Sequence, residues 1–117
     1  MKKRTLIVDD STYMRMNLRK KLTALNFEII GEAKTGEEAL DLIELLKPDF
    51  ITLDNILPDM TGLDILEVLR QKKISVDVLM ISAIGQKSII KLAKQYNIMG
   101  YLIKPFDDYQ LQVALDI

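Results

Sequence analysis

A chain of 117 residues suits one domain, and its 49% apolar and 28% charged residues are the balance of an ordinary globular protein. Cysteine and histidine are both absent, which excludes disulfides, thiolate and imidazole metal sites, thiol nucleophiles and Ser-His-Asp triads. With 17 acidic residues against 16 basic ones, a net charge of −1 and no tryptophan, neither bulk attraction to nucleic acid or membrane nor a base-stacking platform is expected.

Lys2-Lys3-Arg4 before Leu6-Ile7-Val8 imitates the start of a signal peptide, but the apolar run stops at Asp9-Asp10. No other run approaches the ~20 residues of a membrane span, so a cytoplasmic location is expected. Thr5-Leu6-Ile7-Val8 reads as a buried strand. From Thr12 to Leu25, Met14, Leu18, Leu22 and Leu25 recur at helical spacing, with Arg15, Arg19, Lys20 and Lys21 assigned to the wet side. Phe27 to Ala33 is a second strand. Thr35 is the expected N-cap of a helix that carries Leu40, Ile43 and Leu46 and ends before Pro48.

Phe50-Ile51-Thr52-Leu53 reads as the third strand, Pro58 to Gly62 as a loop and Leu63 to Lys72 as a helix burying Ile65, Leu66 and Leu69. Val76 to Ser82 is a fourth strand and Lys87 to Asn97 a helix showing Ile89, Ala93 and Tyr96. Tyr101-Leu102-Ile103 is a fifth strand, and Asp108 to Asp116 a last short helix. Strands apolar on both faces, each followed by a helix, predict an α/β domain over 1–117 with a parallel, doubly wound sheet. Function in such folds gathers at the carboxyl ends of the strands.

Those ends carry Asp9-Asp10 after the first strand, Asp54 after the third, Ser82-Ala83 after the fourth and Lys104-Pro105 after the fifth. Singly, each has a plainer reading: Asp10 as an N-cap, Ser82 as a turn residue, Lys104 as a solvated lysine. Together, three carboxylates repel one another unless a cation intervenes, and Mg2+ suits oxygen ligands. A cation, an ammonium and a hydroxyl facing a carboxylate form a site shaped for a phosphoryl group, with Asp54 as the acceptor.

Asp9-Asp10, Asp54 followed by Pro58 and Gly62, Ser82-Ala83 and Lys104-Pro105-Phe106 together resemble the receiver domains of two-component response regulators, over nearly the whole chain. The stretch Leu6 to Arg15 and the segment Ser82 to Gln86 look like the chemotaxis-type, CheY-like branch. The resemblance implies a (βα)5, flavodoxin/CheY-like fold with strand order 2-1-3-4-5. It implies that Asp54 accepts a phosphoryl group from a histidine kinase and that the domain promotes its own phosphorylation and dephosphorylation without being an ordinary enzyme.

It further implies that Asp10, Asp54 and the backbone carbonyl of Ile56 hold Mg2+ (Mn2+ substituting), with Asp9 acting through water. Ser82, the Ala83 amide and Lys104 would contact the phosphoryl group, and Tyr101 would be a switch coupled to Ser82. The Lys104–Pro105 bond is expected to be cis. The face of the fourth helix, fifth strand and last helix, with Lys87, Lys91, Lys94 and Gln95, would dock an effector protein or output domain. Tyr13 and Met16 would form a kinase-facing surface beside Met14, itself read as core. Direct nucleic-acid binding and membrane insertion are not expected.

Ile56 and Ile84, each two residues past a strand-end group, border the path of hydrolytic water in the resembled family; an apolar pair there predicts slow self-dephosphorylation. The chain stops at Ile117, where relatives often continue, so either an early end or a following output domain is expected. Three rival readings compete. An aspartate-nucleophile phosphatase needs a second acid where Ile56 stands. A flavodoxin-like cofactor binder needs a Gly/Ser/Thr phosphate loop where Asp9-Asp10 stands. A degenerate receiver that only binds proteins need not keep every acceptor residue.

Overall fold

Strand and helix alternate strictly through the computed structural model, which describes residues 2–117. The elements run β1 (Arg4–Val8), α1 (Thr12–Ala24), β2 (Glu28–Ala33), α2 (Gly36–Leu46), β3 (Phe50–Leu53), α3 (Gly62–Gln71), β4 (Asp77–Ser82), α4 (Lys87–Lys94), β5 (Gly100–Ile103) and α5 (Asp108–Ala114). All strand pairs are parallel and the order is β2-β1-β3-β4-β5, as the resemblance implied.

Alternation along the inner strands explains the layering. Leu6, Val8, Ile51, Leu53, Val78 and Met80 pack with Ala39, Ile43, Ile65, Leu66 and Ala93 of α2, α3 and α4. Ile7, Phe50, Leu79 and Ile81 point the other way, onto Leu18 and Leu22 of α1 and Leu111 of α5. Each fully buried Leu, Ile or Phe is worth roughly 1.5–3 kcal/mol of transfer free energy, so both faces anchor the central strands. Met14 packs against the second cluster, in keeping with its core reading, while Tyr13 and Met16 are exposed.

Helix ends follow local chemistry. Thr35 caps α2 through the Glu38 N–H, and Lys47, at φ 49°, turns the chain into Pro48. Thr61 and Asp64 form a capping box on α3, and Asp107 and Gln110 form one on α5. Ser11 caps α1 by accepting the Met14 N–H, so the plainer N-cap reading of Asp10 does not hold, and two helices end more than one residue short of expectation. α4 ends at Lys94, short of the expected Asn97, which instead adopts a left-handed φ of 59°. α5 ends at Ala114 rather than Asp116, which turns left-handed at φ 60°.

Candidate phosphoacceptor site

Register builds the site. Val8 of β1 pairs with Leu53 of β3, so Asp9 and Asp54 leave the sheet side by side, and the Asp54 N–H donates to the Val8 carbonyl. Asp9 is 1% exposed and Asp54 6%, whereas Asp10 faces solvent. Carboxylate oxygens of Asp9, Asp10 and Asp54 all lie within 4.8 Å of one another. Lys104 reaches across from the end of β5: its Nζ stands 2.7 Å from Asp9 Oδ2 and 3.2 Å from Asp54 Oδ2.

Electrostatics follow from this geometry. Burial pushes the Asp9 carboxyl above the ordinary carboxylate range, reinforced by the neighbouring Asp54 charge and opposed by Lys104 and the Ser11 N–H. Burial pulls Lys104 down, but its contacts with Asp9 and Asp54 outweigh that and hold the ammonium above its usual value. The lysine is therefore charged at neutral pH and neutralises part of the acidic cluster.

The loop after Asp54 is held from several sides. Asp54 Oδ1 accepts the Ile56 N–H at 3.2 Å. Buried Asn55 takes the N-terminus of α3, its carbonyl accepting from Gly62 and its Oδ1 from Leu63. Asp59 accepts the N–H groups of Gly36 and Glu37 at the start of α2, which hold its carboxyl below the usual range. Gly62 is required by crowding: a Cβ there would lie 2.8 Å from the Asp54 carbonyl oxygen and 2.8 Å from Met80 Cε.

Ser82 is fully buried at the end of β4, with its Oγ accepting the Ile84 N–H at 3.3 Å. Half-buried Tyr101 points inward: its hydroxyl donates to the Ile84 carbonyl at 2.7 Å, and burial raises its pKa, with the neighbouring Ser82 hydroxyl opposing the shift. Ala83 is exposed beside them, and the Lys104–Pro105 bond is cis. Ile56 is 54% exposed and Ile84 half-buried. The expected groups thus stand at one edge, although Ser82 is bonded within its own loop and not to Asp54 or Lys104.

Sequence reasoning missed Asn55, Asp59, Glu32 and the part played by Arg15. Arg15 is not solvated: its Nη1 donates to the Asp9 carbonyl at 2.7 Å and its Nε to Glu32 at 3.2 Å, with the side chain 14% exposed. Spacing carries no signal for contacts that cross 17 or 23 residues of chain.

Comparison with known proteins agrees with this fold. The chain is 34% identical over 116 residues to the chemotaxis protein CheY of Thermotoga maritima, covering 99% of this chain and 97% of that protein. The CheY of Borrelia burgdorferi, solved in a CheX-CheY-BeF3-Mg complex, superposes with a TM-score of 0.87 at 30% identity, over 96% of this chain and 85% of that one. The chemotaxis response regulator CheY4 of Vibrio cholerae gives a TM-score of 0.87 at 26% identity, over 99% and 98% of the two chains. Residues 5–116 match the response regulator receiver domain, and the chain belongs to that family.

Proposed function

We propose that this chain is a phosphorylation-controlled switch in which Asp54 accepts a phosphoryl group from a phosphohistidine of a partner histidine kinase. The observation that carries the reading is the register match of Asp9 with Asp54, bridged by Lys104. In the transfer, an Asp54 carboxylate oxygen attacks phosphorus, the phosphorus–nitrogen bond breaks, and the departing imidazole nitrogen keeps the bonding pair. The product is an acyl phosphate on Asp54.

The donor set fits Mg2+, with Mn2+ able to substitute: it is all oxygen, and it is close enough for two carboxylates to share a hard cation while the third reaches it through water. Asp10, Asp54 and the Ile56 carbonyl would hold the cation directly and Asp9 through water. When bound, it supplies positive charge to the phosphoryl oxygens. Lys104 pairs with a further oxygen, and the Ser82 hydroxyl and Ala83 amide donate to the rest. The similar CheY of Borrelia burgdorferi, solved together with Mg and the protein CheX, supports both the cation and the docking of proteins.

The switch runs through one loop. Ser82 turns from the Ile84 N–H to the phosphoryl oxygen, which changes the loop whose Ile84 carbonyl holds Tyr101. The α4–β5–α5 face changes with it. There Lys87, Lys91, Lys94 and Gln95 are exposed beside exposed Ile103, Tyr109 and Val113, a surface for an effector protein or an output domain. The reading includes no direct contact with nucleic acid and no membrane insertion. Among the described residues no helix is long and apolar enough to cross a membrane. The chain promotes its own phosphorylation and dephosphorylation without being an ordinary enzyme.

Incubation with acetyl phosphate, read by intact mass, tests the reading. The chain should gain one phosphoryl group with Mg2+ present and none with excess EDTA. A mass unchanged in Mg2+ would leave only a protein-binding domain.

A further inference from the structure

The peptide bond between Asp9 and Asp10 joins a buried carboxylate to an exposed one, and Arg15 grips it. The guanidinium is fixed from three sides: Nη1 donates to the Asp9 carbonyl at 2.7 Å, Nε to Glu32 Oε1 at 3.2 Å and Nη2 to Thr12 Oγ1 at 3.3 Å. Glu32 is itself tethered, since its other oxygen takes Arg19 Nε at 2.6 Å. Among the described residues Arg15 forms no ion pair with the carboxylate of Asp9 or Asp10; its ion pair is with Glu32. Asp9 has its own restraints, through Ser11 and Lys104. The Asp10 carboxylate has no protein hydrogen bond among the described residues, so the backbone that Arg15 holds is what places it.

We infer that Arg15 is a positioning residue for the cation site, bracing the Asp9–Asp10 turn from edge strand β2 so that both carboxylates face Asp54. This rests on the metal-binding reading above. The planar fork is needed, because one group must reach a carbonyl and a carboxylate at once; a lysine is a single point charge and cannot span both. Outer partners of metal ligands commonly matter about 10–100-fold in affinity.

The sign of the effect separates bracing from simple charge. Arg15 is a cation close to a cation site, so charge alone makes its removal tighten metal binding. Bracing makes its removal weaken binding. Isothermal titration of Mg2+, or paramagnetic resonance with Mn2+, reads this on the whole unphosphorylated chain.

Arg15→Gln should weaken binding about tenfold, and Arg15→Lys, which keeps the charge and loses the fork, at least as much. The lysine variant carries the test should the glutamine variant fail to fold, and unchanged far-ultraviolet circular dichroism shows that it has folded. Equal or tighter binding by Arg15→Gln, or unchanged binding by Arg15→Lys, overturns the inference. Asp10→Asn tells the two levels apart. If it weakens binding while the Arg15 variants do not, only the brace is wrong. If the parent chain binds neither cation, or Asp10→Asn binds as well as the parent, the metal-binding reading fails and the brace with it.

Discussion

Lys104→Ala should destabilise the metal-free protein by about 3 kcal/mol near neutral pH, measured by urea unfolding in EDTA, because breaking a buried ion pair strands the remaining charge. Lys104 reaches two carboxylates whose side chains are only 2% and 8% exposed. Its removal leaves Asp9 and Asp54 adjacent with nothing between them. A bound divalent cation replaces the lost charge, so Mg2+ should stabilise the variant more than the parent, by mass action on the folded state.

The pH dependence has a definite sign. Burial already holds the Asp9 carboxyl above its ordinary value of 3.8, and loss of Lys104 raises it further. At this carboxyl the folded variant then binds more protons than its unfolded chain, so the group's contribution to stability rises as pH falls from 7 towards 3.8 and the deficit against the parent should shrink. In the parent, the raised Lys104 contributes fully below its ordinary value of 10.5, and that contribution is lost as pH climbs through its higher folded value. A variant as stable as the parent in EDTA, with a flat acid limb, would remove Lys104 from the cluster's charge balance.

The second large effect concerns the lifetime of the acyl phosphate. On the proposed reading, water reaches phosphorus past Ile56, which is exposed, and Ile84, whose backbone is committed to Ser82 and Tyr101. Neither side chain can orient a water molecule, so decay should be slow. Ile84→Glu introduces an acceptor for such a water and should speed decay about tenfold, a barrier change of ~1.4 kcal/mol. Ile84→Ala opens the same space without a polar group, which separates access from orientation. Loss of label after removal of excess acetyl phosphate gives the rates; equal rates for parent and Ile84→Glu would mean that the side chain does not govern the step.

The strands were legible because buried parallel strands are short β-branched runs, and each stops at a polar residue: Asp9, Asp54, Lys104. Legible strand ends made the site legible, since a parallel sheet brings all of them to one edge. The end of α4 was harder. Ile89, Ala93 and Tyr96 continue the helical pattern, yet Arg70 of α3 donates to the Gln95 carbonyl and lies against the Tyr96 ring, and the chain turns at Asn97. That stop is a tertiary contact, although Asn97 itself is a residue type that favours a left-handed helix exit.

Arg15 was misplaced for a related reason. Helical spacing gives the direction of a side chain but not its reach, and a long arginine can fold back onto the turn before its own helix. Asn55 and Asp59 hold the acceptor loop through backbone amides at helix starts, partners that no residue pattern marks.

Reductive trapping reads the central claim directly. Borohydride reduces an aspartyl phosphate to homoserine, and peptide mass spectrometry then locates the converted residue. After acetyl phosphate and Mg2+, the conversion should fall on Asp54 alone and vanish in Asp54→Asn. Homoserine at Asp9, Asp10 or any other aspartate, or label that persists in Asp54→Asn, would contradict the account.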